Sequence, residues 1–321
     1  MPRSEELRFR AGDASLAGTL ALPDGDGRHP WAVLVGSWLP RDRDGDWDRE
    51  RHAAWYAPSA LEAHAGLLGR MADALASHGV ASLRYDPRGC ASSDGAWERT
   101  DLFTRIDDAR DAIGAMRSRR DLDLRRTAIL GHGEGATVAV SVAIGDPAIG
   151  AVGLVAPPAR SLRDVLRRGV GERSRTGIDR EHPIVAALDR SAEELIERAE
   201  RREAELHLDV DGGDVTLELA GWEQGIHTPG LALASMLHRN IVIAHGARDA
   251  WVDPEESWLM AEVLREAGSD PLLIGIDGAG HGLVEASDDR IDDIAAALAD
   301  RIVARELPPV LVAIEEIGRD G

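Results

Sequence analysis

Thr127-Ala128-Ile129-Leu130-Gly131-His132-Gly133-Glu134-Gly135-Ala136 is the stretch on which the reading of this chain turns. A short apolar run enters three glycines at alternate positions, and a helical pattern follows over 134–145. A strand that turns sharply into a helix needs small residues on both flanks, because the two backbones meet there. The elbow that presents a nucleophile in this way reads G-x-S-x-G. The stretch fits it everywhere except at the centre, where Gly133 stands. Glycine-rich strand-to-helix turns also cradle phosphates. That reading fails on context: the strand lies well inside the chain, and no acidic residue closes a strand about 20 residues later, as a dinucleotide site requires.

Outward from the elbow, short apolar runs alternate with helical patterns. The runs are 15–22, 30–36, 79–85, 126–131, 149–156, 239–246 and 271–276, and the helices fall at about 60–78, 101–118, 134–145, 254–267 and 286–304. Fully apolar strands separated by amphipathic helices predict a mostly parallel central sheet flanked by helices on both faces. The first two runs read as an antiparallel hairpin. Residues 158–238 break the alternation. They are charged, Ser191-Ala-Glu-Glu194 opens an Arg/Glu-rich helix with a capping-box signal, and 206–219 reads as a β-hairpin around Asp211-Gly212-Gly213-Asp214. The expected organisation is a core of 1–157 and 239–321, with 158–238 inserted as a lid.

Two downstream loops carry candidate chemistry. Ala247-Arg248-Asp249 follows the run 239–246, and Asp277-Gly278-Ala279-Gly280-His281-Gly282 follows the run 271–276. The order nucleophile position, acid, histidine is that of the α/β-hydrolase fold. The chain resembles that family over nearly its whole length, and most closely its bacterial esterases and acyl-aminoacyl-peptidase-like hydrolases. Those carry G-S-G-x-x-D-R-D, where this chain has Gly36-Ser37-Trp38-Leu39-Pro40-Arg41-Asp42-Arg43-Asp44. They carry D-x-R-G-x-G-x-S-D, where it has Asp86-Pro87-Arg88-Gly89-Cys90-Ala91-Ser92-Ser93-Asp94, and G-H-S-E-G-G at the elbow.

The resemblance implies an α/β-hydrolase fold with an inserted lid. It also implies an oxyanion hole from backbone N–H groups near Ser37 and of Glu134, each donor contributing on the order of 10²–10³ to rate. Asp249 would orient His281, and His281 would be the general base. Asp253 competes as the acid, but Asp253-Pro254 reads better as the start of a helix. A serine placed at 133 should bring its oxygen to about 3 Å from His281 Nε2. Cys90 and Ser37 are minority candidates for a displaced nucleophile. Asp86 and Arg88 read as loop braces, and His132 as packing beneath the elbow. Of eight tryptophans, Trp38, Trp47, Trp55, Trp222 and Trp251 fall in loops near the expected cavity or lid, and Trp38, Trp222 and Trp251 are the candidate pocket walls.

Three accounts of Gly133 stand open: a serine hydrolase inactivated by a Ser→Gly replacement; a natural glycine, with the Asp249–His281 pair activating water or moving a substrate proton in an elimination, isomerisation or cyclisation; and a catalytically inactive binding or structural homologue. The expected activity is esterase- or hydrolase-like, acting on a small acyl or ester-like substrate.

Composition limits the partners. Fifty-seven acidic against 37 basic residues give a net charge of −20, which repels phosphate backbones and anionic lipid. Nucleic acid and membrane surfaces are therefore not expected; the partner is a small molecule, with a homodimer left open. A single cysteine excludes an internal disulfide framework and a cysteine-based zinc site. No metal or other cofactor is implied. The first residues lack an apolar signal core, and no run of about 18 apolar residues exists, so a cytoplasmic protein is expected.

Overall fold

The computed structural model describes residues 3–52, 66–168, 187–188, 190–210, 213–219, 222–227, 230–249 and 251–304. Trp55 and the Asp211-Gly212 turn lie outside them.

The elbow strand belongs to an eight-stranded sheet. Its strands are β1 (Arg3–Ala11), β2 (Ala14–Leu22), β3 (His29–Val35), β4 (Ala81–Tyr85), β5 (Leu122–His132), β6 (Ile149–Val155), β9 (Asn240–Gly246) and β10 (Leu272–Ile276), in the order β1-β2-β4-β3-β5-β6-β9-β10. From β4 to β10 all neighbours are parallel, while β1 and β2 add an antiparallel edge. The expected hairpin is corrected. The run 15–22 pairs with β1 and β4, and the run 30–36 sits inside the sheet between β4 and β5. Strand β1 escapes a hydropathy reading because only Phe9 and Ala11 of its nine residues are buried.

Helices cover both faces, as a sheet of continuous apolar strands requires. Helices α1 (Leu67–Ser77) and α9 (Asp288–Val303) share one buried cluster with Leu34, Leu130 and Val242. Helices α2 (Leu102–Arg117), α3 (Glu134–Gly145) and α8 (Glu255–Glu266) share the other with Val33, Ile129 and Ile243. Strand order reverses at β3, whose neighbours β4 and β5 are reached in opposite directions. A cleft beyond the carboxyl ends of strands at such a switch point is where open α/β sheets hold ligands.

The segment between β6 and β9 holds α4 (Leu162–Arg167), α5 (Ala192–Glu200), the two-stranded sheet β7 (Glu205–Val210) with β8 (Gly213–Glu218), α6 (Trp222–His227) and α7 (Gly230–Ala234). Leu195, Ile196, Leu206, Leu208 and Leu217 form a third cluster with Leu39, Trp47, Cys90 and Trp97 of the preceding loops. The capping-box expectation is not met: Ser191 precedes α5, but its side chain caps no N–H group.

Candidate active site

Gly133 sits between β5 and α3 with φ 58° and ψ −126°, a conformation that costs any L-residue strain and glycine almost none. The flanking glycines answer to space. A Cβ on Gly131 would stand 2.0 Å from Gly135 O, and one on Gly135 would stand 2.4 Å from Gly36 O. The small residues read from the motif are therefore sterically required.

The structure brings Asp249 and His281 together. His281 Nδ1–H donates to Asp249 Oδ2 at 2.8 Å, and both side chains are buried. The bond leaves the Nε2 lone pair of His281 facing Gly133, 3.0 Å from where a Cβ on that residue would stand. A serine at 133 would thus already bring its Cβ to 3.0 Å from Nε2. Asp253 plays another part, accepting from Glu255 N–H at 2.9 Å at the start of α8.

Asp249 is held from several sides. Its Oδ1 accepts the N–H groups of Trp251 at 2.8 Å and Val252 at 2.9 Å. Its Oδ2 also accepts from His245 Nε2–H at 3.0 Å, while Ser257 O–H donates to His245 Nδ1 at 2.6 Å. Burial pulls the Asp249 carboxyl toward protonation, but the charge of His281 and hydrogen bonds from His245 and His281 outweigh it. The pKa lies well below the ordinary carboxylate range. His245 was not singled out in the sequence; its only signal is a polar ring in an apolar strand four residues before the acid.

His132 Nε2–H donates to the His281 carbonyl at 2.9 Å, and the two rings lie 4.6 Å apart. Burial first, then the charge of His281, pushes its pKa well below the usual histidine value, so it stays neutral while bracing the histidine loop.

Ser37 follows β3, the neighbour of β5, and lies beside the elbow. Its N–H and that of Glu134 make no hydrogen bond among the described residues. Arg105, on α2, fixes both. Its Nη2 donates to Gly36 O at 2.8 Å and Ser37 O at 3.0 Å, and its Nη1 donates to the Glu134 carboxylate. Nothing in the sequence pattern marked Arg105 beyond an arginine at a buried position of an amphipathic helix.

A cavity of about 150 Å³ opens over Gly133, Ser37, Glu134 and His281. Trp38, Trp222 and Trp251 line it, as does Trp97, which the sequence reading did not include. Trp38 stacks on Trp97 at 5.9 Å and meets Trp222 edge-on at 5.1 Å. Pro158, Arg160, Leu162, Leu217 and Trp222 reach the cavity from the 158–238 segment. Trp47 lies elsewhere, under the Arg41 guanidinium.

Other candidates fall outside this cavity. Cys90 is fully buried, and burial together with the charges of Asp48 and Asp86 pushes its thiol pKa up. Its sulfur lies with Asp48 and His52 in a trio of metal-ligating groups within 4.8 Å of one another. Asp48 Oδ2 already accepts Ala91 N–H at 2.7 Å, and His52 Nε2 meets Gly89 O at 2.9 Å, so the trio braces the loop after β4. Asp86 binds Arg43 through both oxygens, and Arg88 binds Asp108 and Asp13, which makes them braces as expected.

Among known proteins, the family model described as serine aminopeptidase, S33 matches residues 56–206. No curated protein matches the chain. Solved structures similar to it include Est1E from Butyrivibrio proteoclasticus with bound ferulic acid, 16% identical with a TM-score of 0.64 over 93% of this chain and 100% of that one. DcsB in complex with its substrate analogue is 16% identical with a TM-score of 0.65, over 95% and 100%. Pyrococcus horikoshii acylaminoacyl peptidase is 13% identical with a TM-score of 0.59, over 95% of this chain and 42% of that one. Among the described residues no helix is long and apolar enough to cross a membrane.

Proposed function

We infer that this chain, a member of the α/β-hydrolase superfamily, is an enzyme that acts on a small acyl or ester-like compound, with His281 as general base. The observation that carries the reading is the unshared Nε2 of His281. It is backed by Asp249 through the 2.8 Å bond and faces the elbow in a cavity lined also by Ser37 and Glu134, whose N–H groups make no hydrogen bond among the described residues. A base beside unengaged backbone N–H donors supplies the parts that acyl chemistry uses. Residue 133 contributes only its backbone. A site that had merely lost a serine side chain would keep the space for it, whereas here Ser37 Oγ and His281 Nε2 lie 2.7 and 3.0 Å from the Cβ position. That supports a site organised around glycine.

The tryptophan walls favour a flat apolar or aromatic group on the substrate. The neighbour Est1E was solved with ferulic acid, which is in keeping with an aromatic acyl group here. Segment 158–238 serves as the lid, since its residues close one side of the cavity. The test is turnover of aryl and alkyl esters by the full chain and by His281→Ala. The reading expects aryl esters to be preferred and kcat/KM to fall by about 10²–10⁴-fold in the variant. Equal rates for the two proteins would refute His281 as the base, and no turnover of any ester by either would leave a binding protein.

A further inference from the structure

We propose that Ser37 supplies the attacking hydroxyl, a role that rests on His281 acting as the general base. Of the three heavy atoms nearest the Cβ position of Gly133, two belong to Ser37 (Oγ at 2.7 Å, Cβ at 3.3 Å) and the third is His281 Nε2 at 3.0 Å. The position a side chain at 133 would fill is therefore flanked by a hydroxyl and the base. Ser37 is 4% exposed and lines the cavity, and its hydroxyl hydrogen-bonds to none of the described residues. The hydroxyl is therefore open to the cavity rather than sealed in the core. An open hydroxyl beside an imidazole lone pair is the form a nucleophile takes before substrate arrives.

The alternatives are weaker on geometry. Thr100, which also lines the cavity, already spends its hydroxyl on Ala96 O at 2.8 Å. Thr137 also lines the cavity, but its atoms are not among the three nearest to the elbow position. Cys90 is sealed away from the cavity. Arg105 fixes the backbone of Ser37 through its carbonyl, which holds the hydroxyl on the same side of the elbow as Nε2.

The step balances. The Ser37 O–H proton passes to His281 Nε2 as Oγ bonds to the substrate carbonyl carbon, and the carbonyl electron pair moves onto oxygen. The N–H groups of Glu134 and of Ser37 itself receive that oxyanion; a nucleophilic residue's own N–H can serve in this way. The carbon–oxygen bond to the leaving alcohol then breaks, the alcohol takes the proton from His281, and an acyl ester remains on Ser37. Water, deprotonated by His281, cleaves that ester, releasing the acid and restoring the hydroxyl.

The experiment treats the unaltered full chain with a fluorophosphonate probe, in which an oxygen–phosphorus bond replaces phosphorus–fluorine and fluoride leaves. Intact mass should show one adduct, mapping to the tryptic peptide of residues 29–41, which contains Ser37 as its only hydroxyl-bearing residue. This arm needs no variant to fold. In a second arm Ser37→Ala keeps the backbone N–H and removes a side chain with no hydrogen bond, so the fold should persist. Its adduct should vanish, and its ester kcat/KM should fall by about 10³-fold or more. An adduct on another residue, no adduct, or full turnover in Ser37→Ala would overturn the proposal. Full turnover in Ser37→Ala together with loss in His281→Ala would point to direct attack by water, refuting this role while leaving the general base in place.

Discussion

Placing a serine at position 133 tests whether the pocket is built around glycine. The backbone at 133 holds φ 58° and ψ −126°, and a non-glycine residue kept there costs about 1–3 kcal/mol. The added Cβ then meets Ser37 Oγ at 2.7 Å and His281 Nε2 at 3.0 Å. The serine can rotate aside, but the imidazole is tied to Asp249 and must give by a few tenths of an ångström. Crowding of this kind adds about 1–3 kcal/mol. Gly133→Ser should therefore destabilise the fold by about 2–6 kcal/mol, lowering Tm by roughly 4–12 °C. Urea unfolding of the wild type, Gly133→Ser, Ser37→Ala and the double variant completes a cycle. Removing the Ser37 hydroxyl relieves one of the two contacts, so the serine should cost about 1 kcal/mol less in the Ser37→Ala background. A neutral or stabilising Gly133→Ser, or strict additivity in the cycle, would refute the argument that Ser37 and His281 occupy the nucleophile space.

Arg105→Met strips donors from Gly36 O, Ser37 O and the Glu134 carboxylate at once, and should cost about 2–3 kcal/mol in urea unfolding and lower kcat more than it raises KM. Arg105→Lys should recover only part of either, because a single ammonium cannot match the forked guanidinium. Asp42, whose carboxyl is pushed up to about 6 by burial and by neighbouring Asp44, gives a pH test. Its folded-state pKa is raised above the ordinary aspartate value of about 3.8, so the folded chain holds the proton longer and stability falls as pH rises from about 4 to about 6. Asp42→Asn can still accept the N–H groups of Asp44 and Asp46 through its amide oxygen, and should raise Tm at pH 7–8 while changing it little near pH 4. A uniform change across that range would contradict the assignment.

Much of the core was legible because most parallel strands carry a continuous apolar run and the helices between them present apolar faces to it. The G-x-G-x-G turn was legible because backbone contact at Gly131 and Gly135 forbids larger side chains, whatever stands between them. Strand β1 was missed because an edge strand with one wet face alternates charge with Leu7 and Phe9 and so lacks a continuous run. The pairing of β2 was misassigned because sequence neighbours were taken as partners, whereas β4 returns from a helical crossover to lie between β2 and β3. His245 and Arg105 were invisible for another reason. Their importance comes from what they touch across the fold, Asp249 in one case and the loops of Ser37 and Glu134 in the other, and no local spacing encodes such contacts. Trp97 entered the cavity in the same way, through its ring stacking on Trp38.

The most direct test of the account is a double-mutant cycle in ester turnover with Asp249→Asn, His281→Ala and the two combined. If the pair acts as one base, each single variant should lose most of the rate and the double should be little worse than His281→Ala alone, because groups that act as a unit are strongly non-additive. Losses that simply multiply, or an Asp249→Asn enzyme as fast as the wild type, would contradict the claim that Asp249 works through His281.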